Sequence, residues 1–164
     1  MNTIAIEERA EKILSDFGIA SIPVDVVAIA EQSNILIKKA PSEKFSGLLY
    51  RKDDMAFMAI SSSESSVRQR FTIAHELGHF FLHPNKDTFI DFRDNKKNVA
   101  RGIKEIQANQ FAATLLMPRK FIEKDVKSFK ETGFNDEAIK FLAKKYYVSE
   151  EAMNFRLINL NLLG

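Results

Sequence analysis

Apolar positions recur every three to four residues at the start of the chain, then every two, then every three to four again to the end. From Ile4 to Phe17 the residues Ile6, Ala10, Ile13, Leu14 and Phe17 share one face and Gly18 follows as a stop, which predicts a helix. Pro23, whose fixed φ suits a first turn, opens a second helix through Val26, Val27 and Ala30 toward Asn34. Short apolar runs at Ile35 to Lys38, Gly47 to Arg51 and Met55 to Ile60 read as three strands of a small sheet, the last two joined as a hairpin at Asp53-Asp54. The serines from Ser61 to Ser66 supply N-caps for a helix over Val67 to His83, which Pro84 closes. Between Phe71 and Leu82 almost every side of that helix is apolar, so it must run through the interior.

Pro84 to Gly102 is polar and charged, with a short strand at Thr88 to Phe92, and its length suits a functional loop better than a connector. Beyond it the pattern predicts helices over Ile103 to Met117, Arg119 to Phe129, Asp136 to Lys145 and Ser149 to Asn159, broken by Pro118, Gly133 and Tyr146-Tyr147-Val148. No internal repeat is visible. The order is that of an α+β domain: a small mixed or antiparallel sheet of about three strands, packed with the central helix and several others. At 164 residues the expectation is a single domain over 1–164, of which 134–164 form a helix-turn-helix-like C-terminal extension.

Charge narrows the function classes. With 24 Lys and Arg against 22 Asp and Glu, mixed along the chain, nothing warrants a dedicated nucleic-acid surface. The absence of cysteine removes thiolates from the metal ligands and nucleophiles, and fits a reducing compartment. Met1 to Lys12 carries Glu7, Glu8 and Glu11 and no uninterrupted apolar stretch, so no secretory signal is expected there. Nor does any segment approach the ~20 apolar residues of a bilayer span, and the expected location is the cytoplasm.

The chemistry concentrates in His75-Glu76-Leu77-Gly78-His79, inside the helix that otherwise wants hydrocarbon. Histidines four apart lie one turn above each other, with Cβ atoms about 5–6 Å apart, so both rings can grip one Zn²⁺. Glu76, turned partway round the helix, can reach a water at such a metal without ligating it. The structural alternative is a buried polar cluster bonded to itself or to backbone, which costs more than leucine would.

A catalytic zinc site needs a third protein ligand and an open fourth position. His83 lies about 12 Å along the axis from His75 on a straight helix and cannot share an ion with both others. It is expected to bond to backbone or to groups behind the ligands. Glu105 is the better candidate, because it heads a face of small residues, Ala108, Asn109 and Ala112, that suits close approach to another helix. Asn109 could orient a ligand histidine through its second nitrogen. An exposed first-turn acid favouring the helix dipole is the alternative for Glu105, and Asp91, Asp94 and Glu123 are the remaining acids.

Phe71-Thr72-Ile73-Ala74-His75-Glu76-Leu77-Gly78-His79-Phe80-Phe81-Leu82-His83, followed by Glu105-Ile106-Gln107-Ala108-Asn109-Gln110-Phe111-Ala112-Ala113-Thr114-Leu115-Leu116-Met117-Pro118, resembles the ImmA/IrrE family of zinc metallopeptidases. The likeness extends to Val148 through Met153 and to Arg156-Leu157. The resemblance implies a cytoplasmic protease that cleaves a helix-turn-helix (XRE-type) repressor, often encoded beside it on a prophage or integrative element, and so derepresses genes. It further implies His75, His79 and Glu105 as zinc ligands and Glu76 as general base. Some relatives carry Glu where Gln107 stands; a neutral amide is a poor ligand, which favours Glu105 as the one that binds.

Zinc would lower the pKa of its water toward 7 and polarise the scissile carbonyl, while Glu76 takes the proton and passes it to the leaving amine. Tyr50, His83 and Arg70 are the candidates for stabilising the oxyanion. A second reading, from another class, is a non-catalytic zinc-containing module that sequesters a repressor or toxin. A third is direct DNA binding by the C-terminal helix pair, which has the proportions of a helix-turn-helix. Against it, Glu150 and Glu151 open the presumed recognition helix where bases and phosphates would lie, and Leu157, Ile158, Leu160, Leu162 and Leu163 suit packing on the main body or a partner.

Overall fold

A computed structural model describes residues 1–92, 102–129 and 133–163. Its helices are α1 (Thr3–Asp16), α2 (Val26–Gln32), α3 (Ser66–Leu82), α4 (Ile103–Leu116), α5 (Arg119–Lys127), α6 (Asp136–Tyr146) and α7 (Glu150–Asn159). Its strands are β1 (Ile35–Ala40), β2 (Phe45–Lys52), β3 (Met55–Ser61) and β4 (Thr88–Phe92). The α+β expectation therefore holds, with the strand at Thr88 joining the sheet as a fourth member.

The sheet is mixed, in the order β1-β3-β2-β4. β3 folds back antiparallel on β2 through the turn at Asp53, whose φ of 54° is left-handed, while β1 runs parallel to β3. β4 pairs antiparallel with the other side of β2, so it forms an edge. Alternation along β2 and β3 buries Leu49, Met58 and Ile60 against the helices.

Caps decide where the helices begin. Asn2, Asp25, Ser65, Asn135 and Ser149 each accept a hydrogen bond from the backbone N–H three residues on. The second helix accordingly starts at Val26 behind Asp25 and not at Pro23, because a carboxylate cap satisfies a free N–H and proline has none to offer.

α3 is buried from Thr72 to His79, and its most extensive partner is α4. The small face expected on α4 does meet α3: a β-carbon on Gly78 would stand 3.0 Å from the Cα and from the carbonyl oxygen of Ala108. The C-terminal helices pack on this body. Arg156 of α7, 4% exposed, donates to both carboxylate oxygens of Glu7 on α1 and to the carbonyl of Met117 at the end of α4. Tyr146 of α6 donates to Asp125 of α5 at 2.8 Å. Leu157 and Leu160 are buried, Leu162 and Leu163 partly so, and Ile158 is exposed.

Candidate metal centre

The i, i+4 spacing on α3 places His75 and His79 on its α4-facing side, 3% and 1% exposed, with their Nε2 atoms 3.1 Å apart. The close contact at Gly78 and Ala108 brings the first turn of α4 over that side. Glu105 thus sets one carboxylate oxygen 3.2 Å from His75 Nε2 and the other 3.2 Å from His79 Nε2. Among the described residues, these three form a group whose ligand atoms all lie within 4.8 Å of one another.

The far side of each ring is occupied. His75 Nδ1 lies 2.9 Å from Asn109 Oδ1, one turn beyond Glu105 on the same helix. His79 Nδ1 lies 3.1 Å from His83 Nδ1, and His83 Nε2 lies 2.9 Å from Gln107 Oε1. With a proton on the outer nitrogen of each ligand ring, two imidazole lone pairs and a carboxylate face one another across 3.1–3.2 Å. Such a cluster repels itself unless a cation or proton lies among its members. Two nitrogens and one oxygen with room for a fourth donor is also the ligand set of a catalytic Zn²⁺, so the residues fit the ion.

The protonation states agree. Burial pushes His79 down to about 4, so its ring is neutral at pH 7. Burial pushes Glu105 upward, but its close contacts with the His75 and His79 rings outweigh it and hold the carboxyl well below the usual carboxylate range. Each is in the form a metal requires.

Glu76 is the counterpoint. It is fully buried, neither of its oxygens has a hydrogen-bond partner among the described residues, and burial, then Asp91, then Glu105, raise its carboxyl well above the ordinary value. A dication at the three donors would draw that affinity for protons back down. A carboxylate that can both take up and release a proton is what a general base requires.

The other acids are not among these three donors, although Asp91 stands close enough to act on Glu76. Asp91 on β4 pairs with Arg68 at 3.6 Å and Glu123 with Arg119 at 3.2 Å, whereas Asp94 lies outside the described residues. Tyr50, His83 and Arg70 do not line the groove beside His75 and Glu105. Arg70 turns away to the carbonyl of Val24 and the ring of Tyr147, and His83 lies behind His79. Two participants escaped the sequence reading: Gly47, against which Glu76 lies, and Phe89, whose ring stacks on His79 at 3.9 Å; Gln107, weighed there only as a poor ligand, is bonded to His83. Only Gly47 carried a signal, since glycine inside a strand marks close approach of another group.

A groove of about 1000 Å³ leads away from His75, Asp91 and Glu105 along Phe71, Asn109 and Ala113 to Ala152 and Phe155 of α7. Phe155 is 58% exposed there.

Comparison with known proteins agrees with this geometry. Residues 30–158 match the family model Peptidase M78, the IrrE N-terminal-like domain. The chain is 29% identical over 134 residues to metallopeptidase ImmA of Bacillus subtilis, covering 82% of this chain and 75% of that protein. It is 34% identical over 99 residues to the radiation response metalloprotease IrrE of Deinococcus radiodurans, and 33% identical over 99 residues to that of Deinococcus deserti. Each of those matches covers 60% of this chain, but only 29% and 34% of the respective IrrE proteins.

Proposed function

The chain belongs to the IrrE N-terminal-like family of metallopeptidases, and from that premise we propose that it is a cytoplasmic zinc endopeptidase cleaving a helix-turn-helix repressor of the XRE type. Cleavage would derepress genes of a prophage, a mobile element or a stress response. The observation that carries the catalytic part is the convergence of His75, His79 and Glu105 within 4.8 Å, beside a buried Glu76 with no hydrogen-bond partner among the described residues.

In this reading His75, His79 and Glu105 hold the ion, and Asn109 fixes the His75 ring. Zinc, when bound, supplies water acidity near neutral pH and polarises the scissile carbonyl. Glu76 accepts the proton of the attacking water and delivers it to the leaving amine nitrogen. Its confinement between α3 and β2 keeps other donors away from the carboxylate. The groove from Glu105 to Phe155 holds the substrate chain and shields the reacting bond from bulk water.

The deciding experiment incubates the zinc-loaded protein with the product of the adjacent reading frame. Discrete fragments that vanish on chelation are expected. A stable complex without fragments would replace the protease reading with that of a binding module.

A further inference from the structure

A hydrogen-bond chain continues behind His79, away from the reacting face. His79 Nδ1 meets His83 Nδ1 at 3.1 Å, His83 Nε2 meets Gln107 Oε1 at 2.9 Å, and Gln107 Nε2 donates to the carbonyl of Met1 at 3.0 Å. His83 and Gln107 are 8% and 9% exposed, so water competes little for these bonds. Each of the first three members can donate or accept, and their geometry alone leaves the direction open. The fourth cannot: a backbone carbonyl only accepts.

We propose that the Met1 carbonyl sets the direction of the whole relay and thereby fixes His79 in the tautomer that offers its Nε2 lone pair to a metal. The carbonyl demands the amide N–H₂ of Gln107, which turns Oε1 toward His83. His83 must then carry its proton on Nε2, leaving Nδ1 as an acceptor. His79 donates to it from Nδ1, and Nε2 is left unprotonated, facing His75 Nε2 and Glu105. His83 and Gln107 are therefore positioning residues. His75 obtains the same result from Asn109 alone, and the two ligands are locked by independent devices.

The inference rests on the ligand assignment above, so its test reads both separately. Long-range ¹H–¹⁵N correlation on the metal-free full chain should find the His79 proton on Nδ1 and the His83 proton on Nε2. A His79 proton on Nε2 overturns the relay whether or not zinc binds. Zinc affinity by chelator competition should fall roughly 10- to 100-fold in His83→Phe, which keeps a ring but has no acceptor. His83→Asn, whose amide oxygen can replace Nδ1, should stay within about threefold of the parent. Gln107→Leu should weaken binding in the same direction as His83→Phe. Parent-like affinity in His83→Phe overturns the relay while leaving the ligand set standing. Unchanged affinity in His79→Ala overturns the ligand set, and with it the relay's purpose.

Discussion

A β-carbon on Gly47 would stand 2.8 Å from Glu76 Oε1 and 2.5 Å from Thr72 Cγ2, so β2 crosses α3 at this height only because position 47 has no side chain. The backbone of the buried helix that carries Thr72 and Glu76 has little room to move, so the Glu76 side chain is what must yield. Gly47→Ala is expected to displace Glu76 while leaving His75, His79 and Glu105 in place. Cleavage should fall at least about tenfold, the scale on which small misplacements of a reacting group act, with zinc content at parent level. Loss of zinc together with activity would show that the strand supports the ligands instead.

Glu76 joins stability to activity in opposite senses. Its folded pKa lies above its ordinary 4.5, because burial and then Asp91 and Glu105 disfavour the charge. The folded state therefore binds the proton more firmly than the unfolded state, and stability drains away as pH rises past about 4.5. Glu76→Gln removes this drain. The metal-free variant should be more stable than the parent at pH 8 in urea unfolding. The zinc-loaded variant should cleave about 10²- to 10⁴-fold more slowly. Substantial residual cleavage would remove Glu76 from its role as base.

The helices, all four strands and the shared face of the two histidines were legible because each follows from a local period or spacing. Two histidines four apart on a helix share a face whatever surrounds them. The place of Glu105 beside the two histidines was legible in a weaker way: the run of small residues after it predicted a close helix, and Gly78 against Ala108 is that contact. What stayed hidden depends on tertiary approach. No pattern in residues 88–92 says that Phe89 lies flat on His79, and Gln107 looks like any helical amide until β4, α3 and α4 are assembled. Pro23 misled, because proline fits a first helical turn but Asp25 offers a better cap two residues later.

Acid should weaken the metal-free protein at His79 and Glu105. Burial lowers His79 to about 4 from an ordinary 6.5, so the unfolded chain takes up a proton that the folded chain refuses. Glu105, held low by its two imidazole partners, adds a loss of the same sign below about 4.5. His79's contribution to the stability of the metal-free protein is expected to drop from about pH 6.5 toward about pH 4, against the opposite slope that Glu76 contributes above about pH 4.5. In His79→Gln, which cannot titrate, the slope should flatten between about pH 6.5 and about pH 5. Equal slopes in thermal melts of the two proteins would place the acid sensitivity elsewhere.

Arg156 ties the C-terminal helix pair to the body through a fork onto Glu7 and a bond to the Met117 carbonyl. Its side chain is 4% exposed and that of Glu7 15%, so the pair sits where the attraction is little screened. Removing one partner leaves the other charge stranded, which costs more than removing both. Arg156→Met is expected to destabilise the protein by about 2–4 kcal/mol, Arg119 at 3.8 Å from Glu7 absorbing part of the loss. The double variant Glu7→Gln, Arg156→Met should recover a measurable share of it, since methionine can fill the guanidinium's space and no carboxylate is left behind. The same change tests the groove, because α7 carries Ala152 and Phe155 along one wall. If Arg156 holds that wall in place, KM for the protein substrate should rise in the single variant below its unfolding temperature while kcat holds. A fall in kcat at constant KM would instead mean that the disturbance reaches Glu105 through α4.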